Sequence, residues 1–186
     1  MFIQTEPTPN PATLKFLPGR VVMEQGVFEA QDEAAAAPSP LARSLLSIPG
    51  VSGVFFGSDF ISVTKKSGDW ANLKPAVLGT IMEHFVAGVP LFEDTIDPDS
   101  VVTEEFFDPA DAEIVRTIKE LLEQRVRPAV ANDGGDIIFR GFRDGIVYLA
   151  MHGACSGCPS STATLRFGIQ NLLRHFIPEV LEVQPV

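Results

Sequence analysis

The sequence is poor in the residues that build most metal sites, and it has no run able to cross a membrane. It contains only two cysteines and three histidines among 186 residues. One chain therefore cannot supply the four thiolates of a Cys₄ metal centre. The longest uncharged run, Gly145 to Leu165, is interrupted by Gly, Ser, His and Pro. Because a membrane-spanning helix needs about 20 apolar residues, we expect no membrane partner.

Basic residues are also few, with 14 Lys and Arg against 24 Asp and Glu and a formal net charge of −10. Nucleic acid attracts basic surfaces, so this balance argues against it as a partner. The N-terminal MFIQTEPTPNPATLKF lacks the basic and apolar pattern of a secretory signal. We therefore expect a cytosolic protein whose thiols stay reduced.

One stretch lacks Lys and Arg altogether and divides the chain. Residues 90–107, PLFEDTIDPDSVVTEEFF, carry six acidic side chains, which is typical of a solvated linker. We predict a first domain over residues 1–88, an acidic linker over 89–107 and a second domain over 108–186. Each domain mixes helical and strand patterns. The predicted fold class is therefore α+β, with two small α/β-type domains.

The first segment shows four strand patterns and two helical ones. Runs of β-branched and aromatic residues predict strands at MFIQTE, ATLKFL, VSGVFF and FISVTKK, the last two joined as a hairpin through Gly57–Asp59. Ser39 and Pro40 predict the N-cap and first residue of a short helix, PLARSLLSI. A longer helix over residues 70–86 should bury Leu73, Val77, Ile81 and Phe85.

The second segment has the order helix, hairpin, cysteine loop, helix, strand. Asp108 and Pro109 begin a helix that NDGGD ends, and we interpret NDGGD as a structural turn. DIIFRGF and GIVYLAMH should pair around Asp144 and Gly145. A helix over 159–176 and an edge strand in VLEVQPV follow. The predicted apolar stripes are Ile114, Ile118, Leu121, Leu122 and Val126 on the first helix, and Leu165, Ile169, Leu172 and Phe176 on the second.

Both cysteines lie in the glycine-rich loop GACSGC, directly before the second of these helices. Pro159 suits the first helical position, which makes Cys158 the N-cap, where a thiolate is favoured. Gly153 and Gly157 leave room around the sulfurs. Cys155 and Cys158 are the candidate ligands, and we expect neither thiol to be needed for the core.

The adjacency of the two cysteines in a glycine-rich loop at a helix start argues against a pair of buried thiols that act only as small hydrophobic residues. Three other interpretations stay open at this point: a redox dithiol, a zinc site and an iron–sulfur site. The C-x-x-C motif of a thiol–disulfide oxidoreductase usually lies near a βαβ unit. The strands before this loop have the pattern of an antiparallel hairpin, which argues against the oxidoreductase interpretation. Two copies would supply four thiolates, so a metal site would lie on a homodimer axis. Spacing alone does not separate zinc from iron–sulfur. We interpret His152 as a strand residue, and His84 and His175 as structural helix residues.

The run from Asn132 to Val180 resembles the C-terminal domain of the NifU family, the Nfu-type iron–sulfur carriers. The first segment is similar to the N-terminal domain of the mitochondrial and alphaproteobacterial branch, through QTEPTPNPATLKFLPG and SPLARSLLSIPGVSGVFFG. The matching residues in the second segment are Asp133, Gly134, Gly135, Asp136, Gly153, Cys155, Gly157, Cys158, Pro159, Ser160, Thr164, Leu165, Ile169, Ile177 and Pro178.

This resemblance implies that Cys155 and Cys158 of two subunits hold one bridging [4Fe–4S] cluster. The cluster would come from a donor scaffold and pass to recipient apo iron–sulfur proteins. No enzymatic turnover is implied, and the first domain is expected to recognise partners. The location implied is the bacterial cytoplasm, or the mitochondrial matrix for a processed eukaryotic form.

Overall fold

In a computed structural model, which describes residues 1–93, 105–156 and 159–186, the chain forms two compact units. They comprise Met1–Ser100 and Val101–Val186. Each unit combines helices with one β-sheet, so the predicted α+β class is confirmed. Most of the predicted acidic linker, residues 94–104, lies outside the described residues. No described helix has the length and hydropathy needed to span a membrane.

The first unit is built on a five-stranded antiparallel sheet. Its order is β1-β2-β5-β4-β3. The predicted hairpin is confirmed, because β4 and β5 pair from Phe56 and Ile61 outward, and the amide of Gly57 donates to the carbonyl of Phe60 at 2.9 Å. The third strand was not predicted from the sequence. The strands are β1 Gln4–Pro7, β2 Thr13–Leu17, β3 Phe28–Ala30, β4 Val51–Phe56 and β5 Ile61–Lys65.

Three helices complete the first unit: α1 Glu33–Ala36, α2 Pro40–Leu46 and α3 Trp70–Ala87. Ser39 caps α2 as predicted, and its side chain accepts from the amide of Ala42 at 3.3 Å. On α3, the predicted Leu73, Val77 and Ile81 are buried. Phe85 is only half-buried, because its ring lies at the margin of the core beneath the guanidinium of Arg20, 5.1 Å away.

The second unit has a four-stranded sheet of order β6-β7-β8-β9. The predicted hairpin is confirmed: β7 and β8 are antiparallel, and Asp144 and Gly145 turn between them with φ of 52° and 78°. The edge strand β9 is confirmed as well and runs parallel to β8. The strands are β6 Phe106–Phe107, β7 Gly135–Arg143, β8 Ile146–Gly153 and β9 Glu182–Pro185.

The short strand β6 extends the second unit into the end of the predicted linker. It pairs in parallel with β7 at Gly141 and Phe142. The ring of Phe106 occupies the space left by the missing side chain of Gly141, where an added Cβ would lie 2.4 Å from the ring. It also packs against Tyr148 with ring centroids 5.1 Å apart. The sequence did not indicate this pairing.

The helices of the second unit pack on one face of its sheet, and the first of them is not continuous. A 3₁₀ turn at Pro109–Asp111 leads into α4 Ala112–Leu121, a π-helical turn at Leu122–Val126 and α5 Arg127–Asn132. The sequence predicted one unbroken helix. Pro128 has no N–H to donate within a regular α-helix, and the backbone widens into a π-turn before it. The last helix is α6 Pro159–Phe176.

In the second unit, the predicted apolar residues along the middle of each helical stripe are buried, whereas those at the edges of the stripe are only partly buried. Ile118, Leu122, Val126 and Ile169 are buried as predicted, and Val115 and Leu173 are buried with them. The predicted Ile114, Leu121, Leu165 and Leu172 are half-buried beside this core. Phe176 is 48% exposed, because it ends α6 and its ring lies against the guanidinium of Arg125 at 5.2 Å.

Candidate functional site

Cys155 lies in the turn that connects β8 to α6. The turn begins at Gly153, whose φ of 68° favours glycine. The carbonyl of Gly153 accepts from both the amide and the hydroxyl of Ser156, at 3.2 and 2.9 Å. The hydroxyl of Thr162 donates to the carbonyl of Cys155 at 2.7 Å, which ties the turn to the start of α6. Cys158 lies outside the described residues, so its predicted N-cap position stays a prediction.

Gly135 lies directly beneath the sulfur of Cys155. A Cβ added to Gly135 would lie 2.8 Å from the Cys155 Sγ and 2.6 Å from the carbonyl oxygen of His152. Neither distance is compatible with any side chain. The neighbouring Gly134 has φ of 81°, and its carbonyl accepts from the amide of Ala154 at 3.2 Å. NDGGD is therefore the structural turn that the sequence predicted, and it also forms the floor of the cysteine site.

An ion pair between the buried Asp136 and the partly exposed Arg127 holds this floor in place. Asp136 is 5% exposed, and its two carboxylate oxygens accept from Nε and Nη2 of Arg127 at 2.9 and 3.0 Å. Arg127 Nη1 also donates to Glu123 at 2.6 Å. The hydrogen bonds to Asp136 are the main reason that the pKa of Arg127 is raised. The pair links α5 to the start of β7, which are the two sides of the NDGGD turn.

The thiol of Cys155 is buried and protonated at neutral pH. Its residue is 7% exposed and belongs to the hydrophobic core of the second unit. Burial, reinforced by the carboxylates of Asp133 and Asp136, raises the pKa of the Cys155 thiol to about 12. The expectation that neither thiol is needed for the core is therefore wrong for Cys155. Because metals bind the thiolate, a metal that takes this sulfur must displace its proton.

The histidines occupy the elements that the sequence predicted. His152 lies in β8 opposite Asp136, and His84 is buried in α3, where burial lowers its pKa. His175 is exposed in the last turn of α6 with its ring against Phe176. Over the described residues, no three or more His, Cys, Asp or Glu side chains are grouped closely enough to hold a metal ion. The part of the chain that the structure describes thus holds no complete metal site.

Two residues that support the turn of Cys155 were not singled out as site residues from the sequence. They are Arg127 and Gly135. The second glycine of NDGGD was the one available signal, since a glycine that begins a strand indicates close approach by another part of the chain. Nothing in the local sequence of Arg127 indicates a partner on the far side of the turn.

Comparison with known proteins assigns both units to one family. The family model described as "Scaffold protein Nfu/NifU N terminal" matches residues 3–88. The model described as "NifU-like domain" matches residues 118–184.

Relatives from two kingdoms match nearly the whole chain. It is 50% identical over 188 residues to the human "NFU1 iron-sulfur cluster scaffold homolog, mitochondrial", covering all of this chain and 72% of that protein. It is 50% identical over 190 residues to "NifU-like protein 4, mitochondrial" of Arabidopsis thaliana, covering 99% of this chain and 65% of the relative. The chain thus spans about two thirds of the length of these relatives. The solution structure of a NifU-like protein from Saccharomyces cerevisiae matches 50% of this chain and 86% of its own at 26% identity, with a TM-score of 0.43. The predicted resemblance is confirmed, and the chain belongs to the Nfu family of NifU-like scaffold proteins.

Proposed function

We propose that this protein carries a [4Fe–4S] cluster, held between two copies of the chain, and delivers it to apo iron–sulfur proteins. Cys155 and Cys158 of each copy are the proposed ligands. The observation that carries the proposal is the position of Cys155, set on the glycine floor at the turn between β8 and α6. The names of the relatives, which are iron–sulfur cluster scaffolds, support the same chemistry.

A second copy is needed because the chain is short of ligands. It has two cysteines, and its described residues hold no further cluster of candidate ligands. A cubane cluster takes four thiolates, which two chains supply together. A ligand set divided equally between two subunits can also separate along their symmetry axis. The cluster is therefore cargo that leaves the protein when thiolates of a recipient compete for it.

The proposal also covers the absence of turnover, the role of the first domain and the location of the protein. Family names of scaffold type favour a role without turnover of an organic substrate. We assign recognition of donor and recipient proteins to the first domain, residues 1–88, which has its own core and no cysteine. The mitochondrial names of the relatives support the matrix as the location of a eukaryotic form, and a bacterial form would act in the cytoplasm.

The proposal is tested by anaerobic reconstitution with ferrous iron and sulfide. Iron and sulfide content, the Mössbauer spectrum and the native mass are measured on the same sample. We expect about four iron and four sulfide per dimer. Cys155→Ala and Cys158→Ala should each abolish loading. Cys155→Ala should also lower the free energy of unfolding by about 1 kcal/mol, because its sulfur packs in the core. His152→Asn should retain the cluster.

Two other results would each replace the proposal. A colourless monomer that cycles a disulfide between Cys155 and Cys158 would identify a thiol–disulfide oxidoreductase. A colourless dimer that purifies with stoichiometric zinc and survives removal of iron would identify a structural zinc protein.

A further inference from the structure

One aromatic side chain of α6 points away from the core of its unit. Phe167 is 51% exposed. Ile169 and Leu173 of the same helix are buried. Because successive helical residues are turned by about 100°, Phe167 lies on the side of α6 opposite Ile169. A single exposed aromatic is common on protein surfaces, so its surroundings decide whether it marks an interface.

Apart from Arg166, the exposed neighbours of Phe167 on α6 are small or uncharged. A Cβ added to Gly168 would meet no atom within 4 Å, so the helix surface is flat beside the ring. One face of the ring is covered by the guanidinium of Arg166 at 4.9 Å. Aromatic residues and arginine are enriched at interfaces, whereas other charged residues are depleted there. The exposed neighbours on this side of the helix are Ala163, Thr164, Gly168 and Asn171.

The strand, turn and helix around this surface also carry few charges in an otherwise acidic chain. The chain has a net charge of −10, yet Arg166 is the single Lys, Arg, Asp or Glu between Gly145 and Leu173. By contrast, the outer side of α4 and the turn that follows it is densely charged. Its exposed charged residues are Glu113, Arg116, Lys119, Glu120, Glu123 and Arg125.

We propose that the outer face of α6, centred on Phe167, is the surface through which two copies of this chain pack around the shared cluster. This inference rests on the proposed function, which requires the cysteine loops of two copies to meet. Phe167 lies eight residues into the helix that the loop leads into, or about 12 Å along its axis. A standard interface covers about 800 Å² per partner, roughly a disc of 16 Å radius. An interface that surrounds the cysteine loop therefore reaches Phe167.

The chain offers a closely matched control for this surface. Phe176 lies on the same helix, is 48% exposed and is stacked by Arg125 at 5.2 Å. Phe167 has a similar exposure and an arginine at a similar distance, but it lies nearer the cysteine loop. Phe167→Glu and Phe176→Glu therefore change charge and apolar area equally, and they differ in where along α6 the change occurs.

The test compares the two variants with the wild-type full chain after anaerobic reconstitution. Sedimentation over a dilution series gives the dissociation constant of the loaded dimer, and absorbance gives the cluster retained at each concentration. We expect Phe167→Glu to raise that dissociation constant at least about tenfold, with earlier loss of the cluster. Phe176→Glu should behave as wild type. Thermal unfolding of both apo-variants should match that of the wild type, because both side chains are exposed.

Two outcomes overturn the inference and leave the proposed function standing. One is a Phe167→Glu dimer that dissociates and loses its cluster as the wild type does. The other is an equal weakening in Phe167→Glu and Phe176→Glu, which would indicate a general effect of added negative charge. A wild-type chain that binds its cluster as a monomer would instead refute the shared site, and the interface with it.

Discussion

Gly135→Ala is the substitution that most directly tests the glycine floor beneath Cys155. The new methyl group would lie 2.6 Å from the carbonyl oxygen of His152, 2.8 Å from the Sγ of Cys155 and 3.3 Å from its amide nitrogen. The first and third of these atoms belong to the backbone. They cannot rotate away, so the substitution must separate β7 from β8 or move the turn that carries Cys155.

The expected cost follows from this crowding. Overpacking a closely fitted interior costs about 1–3 kcal/mol, and the lower flexibility of the unfolded alanine chain offsets about 0.4–1 kcal/mol of it. For a unit of this size, each kcal/mol moves the melting temperature by about 4–8 °C. We therefore expect Gly135→Ala to lower the melting temperature of the apo-protein by several degrees. Because Cys155 is displaced, the variant should also bind less iron.

Differential scanning calorimetry of the apo-protein and iron content after reconstitution measure the two effects. Gly168→Ala is the control, since its added Cβ meets no atom within 4 Å and alanine favours the helix. Its melting temperature should be equal to or slightly above that of the wild type. If Gly135→Ala melts with the wild type and loads fully, Gly135 is not the support of the cysteine turn.

Three further predictions concern the surroundings of the site and the first unit. Arg127→Gln leaves the buried Asp136 carboxylate without its bidentate partner, so urea unfolding should show a loss of at least about 2 kcal/mol. Burial lowers the pKa of His84 below its usual value, so below about pH 6.5 the unfolded chain takes up a proton that the folded chain does not. The free energy of unfolding of the first unit should therefore fall as pH is lowered from 7.5 to 5. In Gly141→Ala the new Cβ meets the ring of Phe106, a side chain that can turn aside, so hydrogen exchange should show β6 released while the core stays intact.

Each of these predictions has a control and a contradicting result. Arg116→Gln removes an exposed ion pair with Glu120 and should cost less than about 0.5 kcal/mol. An equally small cost for Arg127→Gln would contradict a supporting role for the pair with Asp136. His84→Gln should flatten the pH dependence, and an unchanged slope would assign it to other groups. A Gly141→Ala variant that unfolds as early as Gly135→Ala would show that both glycines face rigid backbone.

The parts of the fold that the sequence predicted correctly are those with strong local signals. Ser39 followed by Pro40 begins a helix through its own cap, and Asp144 with Gly145 turns a hairpin through positive φ at both residues. Such signals act within a few residues, so tertiary contacts do not override them. The helical stripes were correct along their midline, as at Ile118 and Ile169, because those side chains face the core directly.

The predictions that failed depend on contacts between distant parts of the chain. Phe176 has the spacing of a core residue, but it ends α6 with its side chain half exposed, and the guanidinium of Arg125 lies against its ring. The strand β6 depends on a space beside Gly141 that periodicity does not reveal. The candidate site shows the same difference between local signals and long-range contacts. Its cysteines were visible as a motif, whereas the support from Gly135 and Arg127 required the structure.

Because Cys155 is buried, binding of a ligand at its sulfur affects the stability of the second unit. Because its sulfur is part of the core of the second unit, any ligand that takes this sulfur in the folded chain alone raises stability by mass action. Part of that gain is lost if the side chain must leave the core to reach the ligand. The difference in melting temperature between the protein with and without such a ligand is therefore the net of the binding gain and the packing lost. Proteases that act on unfolded chains would remove the empty form first.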